Sequence, residues 1–428
     1  MAKSLYVHIP FCLKRCIYCD FVSGIYDPDR ANDYIRALKA EISTLQNKEP
    51  LETLYIGGGT PTVLSDELLK ELTADIFSHF DFSKNYEATI EANPGTLNRG
   101  KLESLTLSGI NRISIGVQSF NNDLLKFLGR IHTSEEAEQA VSMARNAGFK
   151  NISLDLIYGI PGQTVNIWQE TLGKAVSLNP DHISTYELTY EKDTELHDMF
   201  KDSKEHHPHP DPPPSRGREI GGNYQFCKNN SNNPININTP SPGGRGQGGG
   251  GNILQLPNED DIISMYEYAI NFLNSNGFTH YEISNFAMPG LECKHNLNYW
   301  DRGEYYGAGI GAHSFVDDRR YFNIRELDRY IRFVLNNQSP VDAVEKITKD
   351  MAMSEALFLG LRKTSGISIE ILSKVFGKNI LSAYDEAIRY LKKEGLIEIV
   401  SSDCSYESML KLTDRGLLLS NEVFVKFL

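Results

Sequence analysis

Across 428 residues no apolar run reaches the ~20 that a membrane-spanning helix needs. The opening MAKSLYVHIPFC also lacks the uninterrupted apolar stretch of a signal peptide. The expectation is a cytoplasmic chain with no integral membrane segment. Cysteine is scarce, with 6 in all, too few for a disulfide scaffold. Positive charge is short as well: 43 Lys and Arg stand against 56 Asp and Glu, a formal net charge of -13. Without a surplus of cations little draws the chain to phosphate, so nucleic acid is not an expected partner. The 40% hydrophobic and 23% charged shares are those of a globular protein.

What is present first is alternation. SLYVHI (4–9), TLYIGGG (53–59), EATIEAN (87–93), RISIGVQS (112–119), NISLDLIYG (151–159) and HISTYELT (182–189) read as strands. Helical spacing fills 31–47, 65–77, 134–147 and 163–177, with Ser65 and Glu67 marking a helix start. Six strands separated by helices imply βαβ units and a parallel sheet, with chemistry gathered on the loops at the strands' carboxyl ends.

Residues 206–251 break the pattern, with 8 Pro and 10 Gly in 46 positions. Such a composition buries too little apolar surface to offset its ordering entropy and reads as a disordered insertion. His206, His207, His209 and Cys227 fall inside it. Helical spacing resumes at 258–277, closed by Gly277, and a Gly- and aromatic-rich stretch covers 280–315. Beyond Pro340 helices are expected at 345–362, 368–376 and 380–394, then a small hairpin and a closing helix. The expected division is 1–195 as the main α/β domain, 196–257 as a low-complexity insertion, 258–340 as an associated segment and 341–428 as a mostly helical, winged-helix-like domain. The acidity of the chain argues against a DNA role for that last domain.

The strongest chemical signal is HIPFCLKRCIYCDF, which spaces Cys12, Cys16 and Cys19 as C-x3-C-x2-C. Thiolates suit iron–sulfur clusters or zinc. Three of them hold three corners of a cubane and leave one iron open for an exchangeable ligand. The alternative is a structural zinc site completed by His8 or a distant Cys.

This motif, after the first strand, resembles the signature of the radical S-adenosylmethionine (SAM) superfamily. YVHIPFCLKRCIYCDF is similar to the branch that holds oxygen-independent coproporphyrinogen III oxidases and the HemW haem chaperones. The resemblance runs through most of the chain except 206–251. In the oxidases a further Cys lies two positions after the third, and here that position is Phe21, as in the chaperones. The resemblance implies a partial (β/α)6 barrel, a [4Fe–4S] cluster on the three cysteines, and SAM bound to the open iron. It matches Tyr6, Tyr18, Gly58, Gly59, Thr60, Glu91, Gln118, Arg130 and Asp155 to SAM-contacting positions. Their chemistry agrees: a glycine run admits a ligand to the backbone, carboxylates and an amide bind hydroxyls and ammonium, and an Arg pairs with a carboxylate. The chemistry implied is reductive cleavage of a C–S bond.

HNLNYW (295–300) resembles the chaperones' haem motif, with His295 as axial ligand and Tyr299 and Trp300 as flat faces. Cys293 and His313 are weaker ligand candidates. The bland reading of His295 is a hydrogen-bonded histidine in a buried turn. GAGIGAHSF (307–315) reads as tight packing near the barrel mouth.

The expected function is a haem chaperone that binds cluster, SAM and haem, draws electrons from a donor and passes haem to an acceptor protein. The alternative is the oxidative decarboxylation of coproporphyrinogen III. The chain has only five residues before Tyr6, where the oxidases carry a longer extension. A zinc-stabilised barrel acting on an unrelated small molecule is the third reading.

Overall fold

Six strands run parallel in chain order: β1 (Ser4–Ile9), β2 (Leu51–Gly58), β3 (Phe82–Ala92), β4 (Arg112–Gln118), β5 (Asn151–Tyr158) and β6 (His182–Glu187). This is the expected α/β architecture. The computed structural model describes residues 2–200, 255–401 and 407–428, so the stretch 206–251, with its three histidines and Cys227, lies outside the described residues.

Side chains alternate across a strand, and here the alternation separates two environments. Leu5, Val7 and Ile9, Leu54 and Ile56, Ile113, Ile115 and Val117 are buried in the main hydrophobic core. Each such side chain contributes about 1.5–3 kcal/mol on burial. The intervening residues are polar and meet one another: Thr53 donates to Ser4, Tyr55 to Glu91 and Ser114 to Asp155, and Ser153 bonds His182. The polar face lines the barrel's interior, and the apolar face packs on helices such as Pro28–Thr44, Asp66–His79, Ser134–Asn146 and Val165–Ser177. Ser65 caps the second of these through Leu68 N–H, and Thr133 with Glu136 forms a capping box on the third.

The sheet does not stop at six strands. β7 (Thr279–Glu282) and β8 (Asn285–Ala287) follow, and β8 pairs antiparallel with β6. On the other side β9 (Tyr305–Ala308) runs parallel to β1. It leads antiparallel through β10 (His313–Val316), β11 (Arg319–Asn323) and β12 (Val341–Lys346). The order is β12-β11-β10-β9-β1-β2-β3-β4-β5-β6-β8-β7. A helix from 345 was expected; instead 341–346 is the last strand of this sheet, and the helix starts at Lys349, capped by Thr348. The stretch 380–394 is two helices, Ile380–Ala383 and Asp385–Lys393.

The C-terminal part is helical with a small sheet, in which Ser408–Leu412 lies between Ile367–Ser368 and Ile397–Ser401. This matches the expected helices with a β wing. Gly360 and Gly416 are close-approach positions: a Cβ on Gly416 would lie 1.8 Å from the Leu396 carbonyl oxygen.

Candidate functional site

The cysteine loop leaves β1 at Pro10 and is closed at its base by a short parallel pairing of Phe11–Cys12 with Gly24–Ile25. Within it Cys19 N–H bonds the Cys16 carbonyl at 3.2 Å, a turn that sets the spacing of the last two thiols. Two of the sulfurs receive a donor from another part of the chain: Thr60 Oγ1 donates to Cys12 Sγ at 3.5 Å and Arg130 Nη1 to Cys16 Sγ at 3.4 Å. The Phe21 N–H favours the ionised Cys19 sulfur, against the larger effect of burial. All four described cysteines are free thiols. Burial pushes the Cys12 thiol up and the Cys19 thiol up to about 12. Thiols so held ionise when a metal centre takes them, with release of protons.

The donor set fits a cluster: three thiols, two of them already hydrogen-bonded, beside one guanidinium. Among the described residues no three His, Cys, Asp or Glu side chains converge on a single ion. Ligands to separate irons need no such convergence. His8, the expected completion of a zinc site, uses both ring nitrogens elsewhere: Nδ1 lies 3.0 Å from Tyr6 OH and Nε2 2.7 Å from the Val22 carbonyl.

The glycine run bends over the loop. Gly59 N–H bonds the Ile9 carbonyl at 2.8 Å and Thr60 N–H the Phe11 carbonyl at 2.7 Å. A Cβ on Gly59 would sit 2.7 Å from the Phe11 carbonyl oxygen and 3.0 Å from Cys12 Sγ, so only glycine fits. Gly58 has φ +116° and gives its N–H to Glu91 Oε2 at 3.1 Å, while Tyr55 OH donates to Glu91 Oε1 at 2.8 Å.

The strand ends meet at an open-mouthed cavity. Of the expected ligand-binding residues, Tyr6, Tyr18, Gln118, Asp155 and His295 line it together with Cys19. Gln118 stands at φ +66°, a left-handed conformation at a break in the β4–β5 register. Asp155 accepts Ser114 Oγ at 3.1 Å. Arg130 reaches the Gly116 carbonyl at 2.6 Å, and its buried Nε has no partner. Gly58, Gly59, Thr60, Glu91 and Arg130 do not line the cavity; they form a shelf on which Gly59 and Thr60 meet Cys12 and Arg130 meets Cys16.

HNLNYW is a helix, Lys294–Trp300, where a turn was expected. Its first N–H groups are met by Glu87, which accepts from Lys294 N at 3.1 Å and His295 N at 3.2 Å. Cys293 Sγ also donates to Glu87, at 3.5 Å, and is buried with its thiol pushed up to about 12. His295 has Nδ1 2.7 Å from Thr53 Oγ1 and Nε2 2.8 Å from Tyr299 OH, and its ring stacks on Tyr55 at 5.1 Å. Burial, then the charge of Arg112, holds it down to about 3, so it is neutral. His313 packs edge-on to Phe322 and is lowered to about 4. Gly309 and Gly311 pack closely on His8 and Val22, as the tight-packing reading of GAGIGAHSF implies.

Sequence reading missed Thr53, Glu87 and Arg112. All three lie on inward positions of β2, β3 and β4, two or four residues before better signals. Strand alternation from Tyr55, Glu91 and Gly116 would have found them. The far wall of the cavity was missed too: Glu187, whose carboxyl burial pushes up to about 8, and Glu282, also raised by burial.

Comparison with known proteins places these features. The radical SAM superfamily model matches residues 6–175, and the HemN C-terminal domain model matches 347–419. The chain is 34% identical over 430 residues to the heme chaperone HemW of Bacillus subtilis, covering 100% of this chain and 99% of that one. It is 35% identical over 426 residues to heme chaperone HemW of Lactococcus lactis, covering 100% and 97%. Among solved structures, coproporphyrinogen III oxidase (HemN) from Escherichia coli, a radical SAM enzyme, superposes with a TM-score of 0.77. It is 23% identical and covers 99% of this chain and 89% of that one, a likeness of fold.

Proposed function

The chain belongs to the heme chaperone HemW family of the radical SAM superfamily, and on that premise we propose that it is a haem chaperone. It holds a [4Fe–4S] cluster, SAM and haem, and gives haem to an acceptor protein in the cytoplasm. The observation that carries the reading is the identity to HemW relatives over the full length of both chains. The three thiols, of which Cys19 lines the cavity, support the cofactors.

Cys12, Cys16 and Cys19 would hold the cluster, which with SAM bound would pass an electron received from an external donor to the sulfonium for reductive cleavage of a C–S bond. The residues around it bind and orient. Arg130 is tied by two hydrogen bonds and keeps its Nε for a ligand carboxylate. Glu91, fixed by Tyr55 and Gly58 near the end of β3, and Asp155, fixed by Ser114 within β5, hold carboxylates for ammonium and ribose hydroxyls. Tyr6 and Tyr18 supply flat walls that exclude water.

Haem takes the aromatic cavity, against the segment His295–Trp300. His295 would be the candidate protein ligand to its iron, through Nε2. In this conformation that atom accepts from Tyr299, so ligation requires the bond to Tyr299 to open.

The test is one reconstituted, anaerobic preparation assayed two ways. Haem binding and transfer to an apo-acceptor are expected, with no decarboxylation of coproporphyrinogen III. Decarboxylation without haem transfer would reverse the assignment to the oxidase.

A further inference from the structure

His8 lies at the crossing of three elements that the cluster site needs. Its backbone is in β1. Its ring lies against the glycine run, where a Cβ on Gly58 would come within 2.6 Å of the imidazole. Its Nε2 reaches Val22 in the trailing arm of the cysteine loop at 2.7 Å.

The hydrogen-bond directions follow from chemistry. A carbonyl only accepts, so Nε2 carries the proton and donates to Val22. Nδ1 is then an acceptor, and the proton in the 3.0 Å contact comes from Tyr6 OH. The relay runs one way: Tyr6 O–H to His8 Nδ1, His8 Nε2–H to Val22 O. Val22 follows Phe21, whose backbone N–H favours the ionised form of Cys19. Tyr6 and Phe21 both line the cavity.

Hydrogen bonds to cluster-ligating sulfur stabilise the added electron and raise the reduction potential. We propose that His8 is a positioning residue that fixes the arm carrying the Phe21 N–H, so setting the potential of the cluster, and that Tyr6 couples this bond to occupancy of the cavity. The inference rests on the three cysteines holding a cluster, and extends that reading to a residue that touches neither cluster nor ligand.

The experiment is spectroelectrochemical titration of the full chain, reconstituted anaerobically, with and without saturating SAM. Wild-type protein that takes up no iron and sulfide refutes the cluster reading itself, which separates that failure from failure of this inference. Given a cluster, His8→Phe should shift the midpoint potential to more negative values at unchanged iron content. His8→Gln should restore it, because the amide keeps both an acceptor oxygen and a donor nitrogen. Tyr6→Phe, read at a SAM concentration that calorimetry shows to saturate the variant, should shrink the change in potential that SAM induces. A wild-type potential in His8→Phe overturns the proposal. So does a His8→Gln variant as displaced as His8→Phe, or a Tyr6→Phe variant with the full response to SAM. Should His8→Phe lose its cluster altogether, the His8→Gln and Tyr6→Phe arms decide alone.

Discussion

Thr53 Oγ1 and His295 Nδ1 lie 2.7 Å apart although 242 residues separate them in the chain. Thr53 spends its own proton on Ser4 Oγ at 2.8 Å, so toward His295 it accepts. The imidazole is therefore the Nδ1–H tautomer, and its lone pair is on Nε2, facing Tyr299. Tyr299→Phe removes that donor and should raise haem affinity several-fold, while His295→Ala should abolish the imidazole-ligated spectrum. Haem titration followed in the Soret region checks both. Equal affinities in wild type and both variants would remove this pair from the haem site.

Replacing any of Cys12, Cys16 or Cys19 by Ala should abolish the cluster. Iron and sulfide analysis after reconstitution, with the brown absorption, is the measurement. Retention of four irons per chain in any of the three variants would misplace the cluster.

Gly59→Ala is a sharper probe of the shelf. The added methyl would meet the Phe11 carbonyl at 2.7 Å and Cys12 Sγ at 3.0 Å. Overpacking of this kind costs about 1–3 kcal/mol. The expected outcome is a folded protein with reduced cluster occupancy and a lower melting temperature. Gly173, around which nothing lies within 4 Å, is the control position.

Arg130→Lys keeps the charge and loses the fork that spans Cys16 Sγ and the Gly116 carbonyl. SAM affinity by calorimetry should fall by roughly tenfold or more, about 1.4 kcal/mol per decade. Affinity within twofold of wild type would take Arg130 out of the ligand cradle.

Acid should unfold the protein through its buried histidines. Burial lowers His8, His280 and His313 to about 4 and His132 and His295 to about 3. In the unfolded chain each takes a proton near pH 6.5. Stability is thus whole above that value and falls as pH drops from 6.5 toward 4, by up to about 1.4 kcal/mol per pH unit for each proton taken up. The carboxyls that burial raises act with the opposite sign: Glu187, raised to about 8, costs stability as pH rises from about 4.5 toward 8, and Glu41 and Glu282 act in the same sense. The five histidines outnumber these three carboxyls, so urea midpoints should decline from pH 7 to pH 5. A flat profile would contradict the burial of these rings.

The barrel was legible because it is written in short-range pattern. The six strand segments were located to within a few residues at their starts, apart from β3, which begins five residues earlier, at Phe82. The cysteines, the glycine run and the strand-end residues Glu91, Gln118 and Asp155 carry their own signal. The helix at 294–300 was hidden, because its start is capped by Glu87 from another strand and no capping side chain precedes it locally. His295 was ambiguous for a related reason: Thr53 lies far away in sequence, so the two partners that occupy its nitrogens become evident only in three dimensions. The added strands β9–β12 were missed because they are short, and their pairing is set by neighbours rather than by alternation.

The placement of β9 alongside β1 has a consequence for anyone cutting the gene. A fragment ending near residue 175, where the superfamily match stops, would lack β6 and would strip β1 of its outer neighbour. Both margins would then present unpaired backbone groups, which invite sticking between copies. Such a piece should collect in inclusion bodies, whereas expression through residue 346 would retain both flanking partners.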